Sequence, residues 1–329
     1  MARLIALCIM TLKFFIPFLL TGLFTDSYSQ PVSQVSKSEI YTHALSCSVE
    51  VLVNGRLEGT GFIVSEDGYA ITVLHALKEN AKLEIRSRNL GRLKATLIGQ
   101  SRGDDAALFK IPCKADPYPY LQISEKAPLP GDEVFLIGTP VFRNRVFIKG
   151  FVAGSEPVYE FYRGNYNEVI HVSAMTAKGC SGGPWLNKSG EIVGMQAANV
   201  TIGNVLQGIA SMVPAKRLKK LAEAKKTTST PTLEMAFEAI WEQSHEKITN
   251  LPKDTRGLII RQVKAKGIAA NKGIKEWDIL LKANDKRFEE SADLIRYLRN
   301  ENKMKVLELE VMDAKNHKIR VIKIQPKEI

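Results

Sequence analysis

Cysteine is scarce in this chain of 329 residues: four are present, Cys8, Cys47, Cys113 and Cys180. Cys8 falls in an amino-terminal segment expected to be removed. The remaining three are an odd, widely spaced set, which argues against a disulfide framework. No CxxC pair or Cys/His cluster occurs, so no metal site is expected, and no cofactor motif stands out. No long apolar run follows residue 24, so no membrane span is expected beyond it. The formal net charge is +11, but it comes without a recognisable nucleic-acid-binding motif. Acidic residues are interspersed, and runs such as Lys216, Arg217, Lys219 and Lys220 read as a solvated basic face. With 45% hydrophobic and 25% charged residues, the composition is that of a globular protein of about two domains.

The amino terminus, "MARLIALCIMTLKFFIPFLLTGLFTDSYSQ", has Arg3 and Lys13 ahead of an apolar run from Phe14 to Phe24. Small residues, Ser27 and Ser29, close it. This is the layout of a secretory signal peptide spanning residues 1–29. The alternative is an uncleaved membrane anchor, since Leu4 to Phe24 approaches spanning length, although Lys13 and Pro17 interrupt it.

From about Val49 to Val213, short apolar segments alternate with Gly, Pro, Asn and Asp. Examples are "SVEVLV" before Asn54-Gly55, "GTGFIVS" before "EDG", and then "YAITV", "ALFKI", "EVFLIG" and "EIVGMQA". Regular short strands with turn signals predict an all-β sandwich or barrel. Pro214 opens a helix, "PAKRLKKLAEAKK", with Leu218, Leu221 and Ala222 on its apolar side. A polar linker, "TTSTPT", follows. The spacing of Leu233, Phe237, Ile240, Trp241 and Ile248 predicts a helix after it. Strands then alternate with a helix at "SADLIRYLRN", with Ser291 as its N-cap.

The stretch "AKGCSGGPW" holds two adjacent nucleophile types, Cys180 and Ser181. Hydrolysis by a serine needs a base, a group that holds the base in its tautomer, and N–H donors for the oxyanion. The N–H groups of Gly179 and Ser181 can converge in such a turn, and Gly182 and Gly183 read as leaving room for substrate. His75 ends "GYAITVLHAL", after a strand. His43, His171, His245 and His317 are the other histidines. Asp104 and Asp105 open "DDAALFKI", and periodicity does not choose between them.

Together "GTGFIVSEDGYAITVLHAL", "DDAALFKI", "GDEVFLIGTP" and "AKGCSGGPWLNKSGEIVGMQ" resemble the HtrA/Deg-like branch of the trypsin-like serine proteases, in order and in approximate spacing. The resemblance implies an all-β protease domain over residues 38–213, built of two six-stranded barrels with the active site between them. It implies His75 as general base, Asp105 as its orienter and Ser181 as nucleophile, with Gly179 and Ser181 supplying the oxyanion hole. Asp105 is selected because Ala106-Ala107-Leu108 matches the family's run after the aspartate. Val73 and Cys180 stand where the family often has Asn. By analogy, Met175 lies at the base of the specificity pocket, and Gly194, Met195 and Gln196 form its wall. A preference for small or medium apolar residues follows. Cys180, beside the nucleophile, is a candidate for oxidation.

After a helix and linker over 214–231, residues 232–329 resemble a PDZ domain, a smaller α+β unit, through "RGLIIRQV", "AKGIAANKGIKEWDILLKAND" and "SADLIRYLRN". Gly257, Leu258 and Ile259 correspond to the loop that holds a peptide's C-terminal carboxylate. Trp277 stands where the family has a turn glycine. The implied whole is a periplasmic endopeptidase of unfolded proteins, a homo-oligomer with the trimer that is common in the family as its expected form, and with C-terminal peptides as further partners. The alternative is a catalytically weak chaperone or peptide-binding module on a protease fold.

Overall fold

The computed structural model describes residues 35–142, 145–154, 157–162, 164–302 and 304–329. The expected signal segment, 1–29, lies outside the described residues.

The described chain begins with helix α1 (Lys37–Cys47), whose Ser36 and Glu39 form a reciprocal capping box. Seven strands follow: β1 (Ser48–Val53), β2 (Arg56–Ile63), β3 (Tyr69–Val73), β4 (Leu83–Ser87), β5 (Gly91–Lys94), β6 (Thr96–Ser101) and β7 (Ala106–Lys110). They pair in the order β5-β4-β1-β2-β3-β7-β6. The next seven are β8 (Glu133–Gly138), β9 (Val146–Val152), β10 (Val158–Tyr162), β11 (Asn165–Ser173), β12 (Pro184–Leu186), β13 (Ile192–Ile202) and β14 (Val205–Pro214). Their order is β10-β11-β14-β13-β12-β8-β9. Because β9 also pairs with β11, six of these strands close a ring and β10 extends it. Each sheet thus holds seven strands where the family pattern implies six.

Strand alternation separates the cores. Ile63, Ala70 and Phe109 fill the first barrel. Their neighbours Phe62, Ile71 and Leu108 turn to a core shared between the barrels, where they meet Phe135, Ile137, Met195 and Val213. Trp185, Leu136 and Val172 fill the second barrel. Helix α2 (Ala215–Ala224) follows, with Pro214 one position before it as N-cap, and it buries Leu218 and Leu221. The polar linker then packs instead of hanging free. Thr228 N–H donates to Gln100 O at 2.9 Å, and any Cβ on Gly99 would come within 2.4 Å of the Lys226 carbonyl carbon.

In the carboxy-terminal part, β15 (Pro231–Thr232) pairs with β21 (Lys327–Glu328). A five-stranded sheet runs in the order β16 (Met235–Ala239), β17 (Leu258–Val263), β18 (Ile279–Ala283), β19 (Leu307–Met312), β20 (Ile319–Ile324). The helix expected from Leu233 onward is not formed. Its first half is the strand β16, followed by one 3-10 turn (Ile240–Glu242) and the single-turn helix α3 (His245–Ile248). Leu233, Met235 and Phe237 also fit a period of two, and pairing of β16 with β17 decides between the readings. Trp241 is left exposed. Beyond the short helix α4 (Ile268–Asn271), helix α5 (Ser291–Arg296) has Glu290 at its N-cap, with Ser291 its first residue. It continues as a π-helical turn over Tyr297–Asn302. Trp277 keeps the left-handed backbone of a turn glycine, φ 76°. Its ring is faced by Arg261 at 4.3 Å and Lys247 at 4.7 Å.

Candidate active site

His75 lies in a single 3-10 turn, Leu74–Ala76, directly after β3. Asp105 follows a second such turn, Arg102–Asp104, and takes a left-handed conformation, φ 47°, before β7 begins. Since β3 and β7 are antiparallel neighbours with Val73 opposite Ala106, the two turns meet at one end of the first barrel. Asp105 grips His75 twice. Oδ2 lies 2.6 Å from the ring Nδ1, and Oδ1 accepts the His75 backbone N–H at 2.8 Å. Leu74 N–H donates to the Asp105 carbonyl at 2.9 Å. Asp104 points away, with its Oδ2 accepting from Ser101 Oγ at 2.7 Å. Of the two aspartates, Asp105 contacts an imidazole and Asp104 does not, among the described residues.

Ser181 occupies the turn before β12, and that turn is fastened to the first barrel. Thr60 N–H donates to the Ser181 carbonyl at 2.8 Å, and Thr60 Oγ1 donates to the Gly179 carbonyl at 2.8 Å. A Cβ on Gly59 would fall 2.8 Å from the Ser181 carbonyl oxygen and 3.8 Å from Ala76 Cβ. The serine turn and the histidine turn thus converge around Gly59. The Ser181 hydroxyl donates to the Ala197 carbonyl at 3.3 Å, and it makes no hydrogen bond to His75 among the described residues.

Two donors stand free at this turn. The N–H groups of Gly179 and Ser181 have no hydrogen-bond partner among the described residues, whereas Cys180 N–H is taken by the Ala177 carbonyl at 3.1 Å. Gly179 has φ 102°, and a side chain there would collide with the Thr139 carbonyl at 2.2 Å. Gly182 and Gly183 serve a purpose other than the expected one. A Cβ on Gly182 would meet the Thr60 carbonyl oxygen at 2.0 Å, and one on Gly183 the Ile137 carbonyl oxygen at 2.4 Å. The room they leave is taken by the protein's own backbone, not by a substrate.

Cys180 is a core residue. Its side chain is buried with Leu136, Val172 and Trp185. Its Sγ would lie 2.8 Å from a Cβ on Gly138. Burial pushes its thiol pKa up, so the reactive thiolate is disfavoured. The expected oxidation site is therefore shielded. Cys47 is also buried and its pKa is pushed up to about 11, while Cys113 is exposed; all three are free thiols.

The expected specificity pocket is not assembled from its expected residues. Met175 is 68% exposed, pointing outward. Met195 lies in the core between the barrels. Gln196 is buried, accepting from Trp185 Nε1 at 2.9 Å and donating to the Ala198 carbonyl at 2.7 Å. Gly194 packs against Val213 and Met212. The Ser181 hydroxyl instead meets the Ala197 carbonyl of β13, and two residues further along that strand Asn199 Oδ1 accepts from Thr176 Oγ1 at 2.6 Å. The remaining histidines join no such constellation. His171 pairs with Glu160 at 2.9 Å, and His43 lies 3.9 Å from Cys47 Sγ; His245 and His317 belong to the carboxy-terminal part.

The expected carboxylate loop is also displaced. Leu258 and Ile259 are buried in β17, which is paired on both sides, by β16 and by β18. A Cβ on Gly257 would meet the Leu280 carbonyl oxygen at 2.3 Å, so its glycine serves strand packing. The sheet's two edges are β16 and β20, and on β16 the N–H groups of Phe237 and Ala239 are already used. Tyr166 of β11 places its hydroxyl 2.6 Å from Phe237 N and 3.2 Å from Phe237 O, with its ring stacked on that of Phe237. Glu242 takes the Ala239 N–H at 2.6 Å.

Residues 59–195 match the family described as trypsin-like peptidase domain. A probable periplasmic serine endoprotease DegP-like of Pseudomonas savastanoi pv. phaseolicola is 29% identical over 265 residues, covering 80% of this chain and 55% of its own length. Serine protease HTRA1 of Xenopus laevis is 28% identical over 286 residues, 82% of this chain and 60% of its own. The chain therefore spans somewhat over half the length of these curated relatives. Among solved structures, an HtrA-type protease AlgW with decapeptide shares the fold with a TM-score of 0.64 at 17% identity, over 90% of this chain and 99% of that one. The serine endoprotease from Yersinia pestis gives 0.58 at 21% identity, over 88% and 98%.

Proposed function

We propose that this chain, which matches a trypsin-like peptidase domain over residues 59–195 and is similar to the DegP and HtrA serine proteases, is a serine endopeptidase of unfolded proteins. One observation carries the reading. The Asp105–His75 pair and the Ser181 turn converge around Gly59, with the N–H groups of Gly179 and Ser181 free. Ser181 Oγ attacks the scissile carbonyl, and His75 Nε2 takes its proton. Asp105 holds Nδ1–H and stabilises the imidazolium, while the two N–H groups receive the oxyanion. As the tetrahedral intermediate collapses, the His75 imidazolium gives that proton to the leaving amine and the acyl-enzyme remains; His75, neutral again, then takes a proton from the water that hydrolyses the ester and returns it to Ser181 Oγ. We assign Ala197, Ala198 and Asn199, with Thr176 beside Asn199, to the pocket wall; none carries a charge, which supports cleavage after small or medium apolar residues.

The names of the relatives support a periplasmic or secreted setting. Among the described residues no helix is long and apolar enough to cross a membrane. We assign the carboxy-terminal sheet as a PDZ-like, peptide-binding unit whose receiving edge is β16. A peptide strand added there has to displace Tyr166 and Glu242 first, so binding competes with the contact between the two parts of the chain. The assembly proposed is a homo-oligomer.

The deciding comparison is between the mature chain and Ser181→Ala on a denatured protein substrate. The parent digests it and the variant does not; equal digestion by both would remove Ser181 as nucleophile. The hydroxyl's bond to Ala197 O, away from His75, favours a second reading, a catalytically weak chaperone. That reading gains if neither protein digests the substrate and both keep it soluble.

A further inference from the structure

Asp105 owes its position to the turn before it, and that turn is held from outside the first barrel at every residue. The Arg102 carbonyl accepts from Asn165 Nδ2 of β11 at 3.4 Å. The Gly103 carbonyl accepts from Arg299 Nη2 at 3.3 Å. Asp104 Oδ1 lies 3.6 Å from Arg217 Nε of α2 and 3.9 Å from Arg299 Nη1. Gly103 itself is pressed on Thr230 of the linker so closely that a Cβ would fall 1.9 Å from Thr230 Oγ1.

Arg299 comes from the π-helical turn after α5, in the carboxy-terminal sheet domain. Its side chain is only 5% exposed. It also donates to the Tyr166 carbonyl and lies 5.3 Å from the Tyr159 ring. A guanidinium is rarely buried unless it is paired; here Nη2 donates to the carbonyls of Tyr166 and Gly103, and the Asp104 carboxylate faces Nη1 at 3.9 Å, an ion pair without a hydrogen bond. The charged groups facing this turn are His75, Arg102 with Glu79, Arg217 with Glu168, and Arg299. Of these, Arg299 alone comes from beyond the linker.

We propose that Arg299 is a positioning residue for Asp105: the carboxy-terminal domain fixes the Arg102–Asp104 turn, and through it the geometry of the Asp105–His75 hydrogen bonds. The proposal rests on Asp105 orienting the base in the reaction proposed above. Asp105 leaves the turn in the left-handed conformation, φ 47°, which is less favourable than the right-handed one even for aspartate, so the hold on the turn helps to keep it there. Releasing Gly103 O and Asp104 relaxes that constraint and moves the carboxylate relative to the imidazole. A displacement of about 1 Å at such a site lowers the rate on the order of 10²-fold.

The test uses the full mature chain and a denatured protein substrate, with Arg299→Gln, Arg299→Lys and Asp104→Asn beside the parent and Ser181→Ala. The expected result is a fall in kcat of about 10- to 100-fold in Arg299→Gln with KM within about twofold. Its kcat–pH profile is displaced, and Arg299→Lys recovers part of the rate. Asp104→Asn removes the opposite partner and gives the same signature, which covers the case of Arg299→Gln failing to fold. A kcat and pH profile equal to the parent's in folded variants, or a lowered Tm with unchanged kcat per folded molecule, would overturn the proposal while leaving the nucleophile intact. Full activity in Ser181→Ala would instead remove the reading beneath it.

Discussion

Gly182 has φ 83° and faces the Thr60 carbonyl across a gap that no Cβ fits. Gly182→Ala should therefore lower stability by roughly 1–3 kcal/mol from backbone strain alone. It should also lower activity, because Ser181 is displaced with it; urea titration and substrate digestion measure the two effects. Cys180 makes the opposite kind of prediction. An alkylating reagent added to the folded protein should label Cys113 and spare Cys47 and Cys180, with all three reacting after unfolding, as read by mass spectrometry of peptides. Rapid labelling of Cys180 in the folded state would contradict its burial. At this scale the sequence was legible where chemistry forces a residue type at a fixed place. His75 and Asp105 meet as a hydrogen-bonded pair, and Gly179 and Ser181 share one turn fastened to Thr60. It was less legible where the parity of a strand decides. Met175 and Thr176 differ by one position, yet one emerges into solvent and the other packs toward Asn199.

At the scale of elements, β16 shows why a helix was expected and a strand found. Its apolar residues satisfy both periods, and the choice falls to the partner strand β17, which lies over twenty residues away and has no local signal. Distance along the chain also hid the capping of β16 by Tyr166, a residue of the second barrel. Tyr166→Phe keeps the stacked ring and removes two hydrogen bonds to Phe237. It should lower Tm by an amount equivalent to about 1–3 kcal/mol and tighten binding of an added peptide to the sheet domain, as followed by fluorescence polarisation. Unchanged affinity together with lowered stability would place the peptide elsewhere.

The whole molecule is joined by a buried charge cluster. Glu168 of β11 accepts from Arg217 Nε at 2.8 Å and pairs with Lys216 at 2.7 Å. Burial opposes its ionisation, but the hydrogen bonds of Lys216 and Arg217 outweigh burial, and its carboxyl sits below the ordinary 4.5. A group with a lowered pKa in the folded state stabilises it above the unfolded value, and that contribution is lost as pH falls through the folded value. Stability should accordingly drop below about pH 4.5, and Glu168→Gln should flatten that limb of a Tm-against-pH curve while costing stability at neutral pH. The two-barrel architecture was legible from four ordered sequence blocks. The packing of the linker on β6 and of Arg299 on the Asp105 turn was not, since both rest on contacts between segments far apart in the chain.

An outermost strand is a template on which any other strand can align. On β16 two successive outward N–H groups are stoppered by single side chains, Tyr166 and Glu242. Chains that lose the stopper expose an apolar rim bounded by Met235 and Phe237. Tyr166→Ala should therefore associate edge to edge through the carboxy-terminal sheet and form concentration-dependent aggregates in light scattering. The tyrosine that closes the sheet would then also be the residue that keeps neighbouring molecules apart.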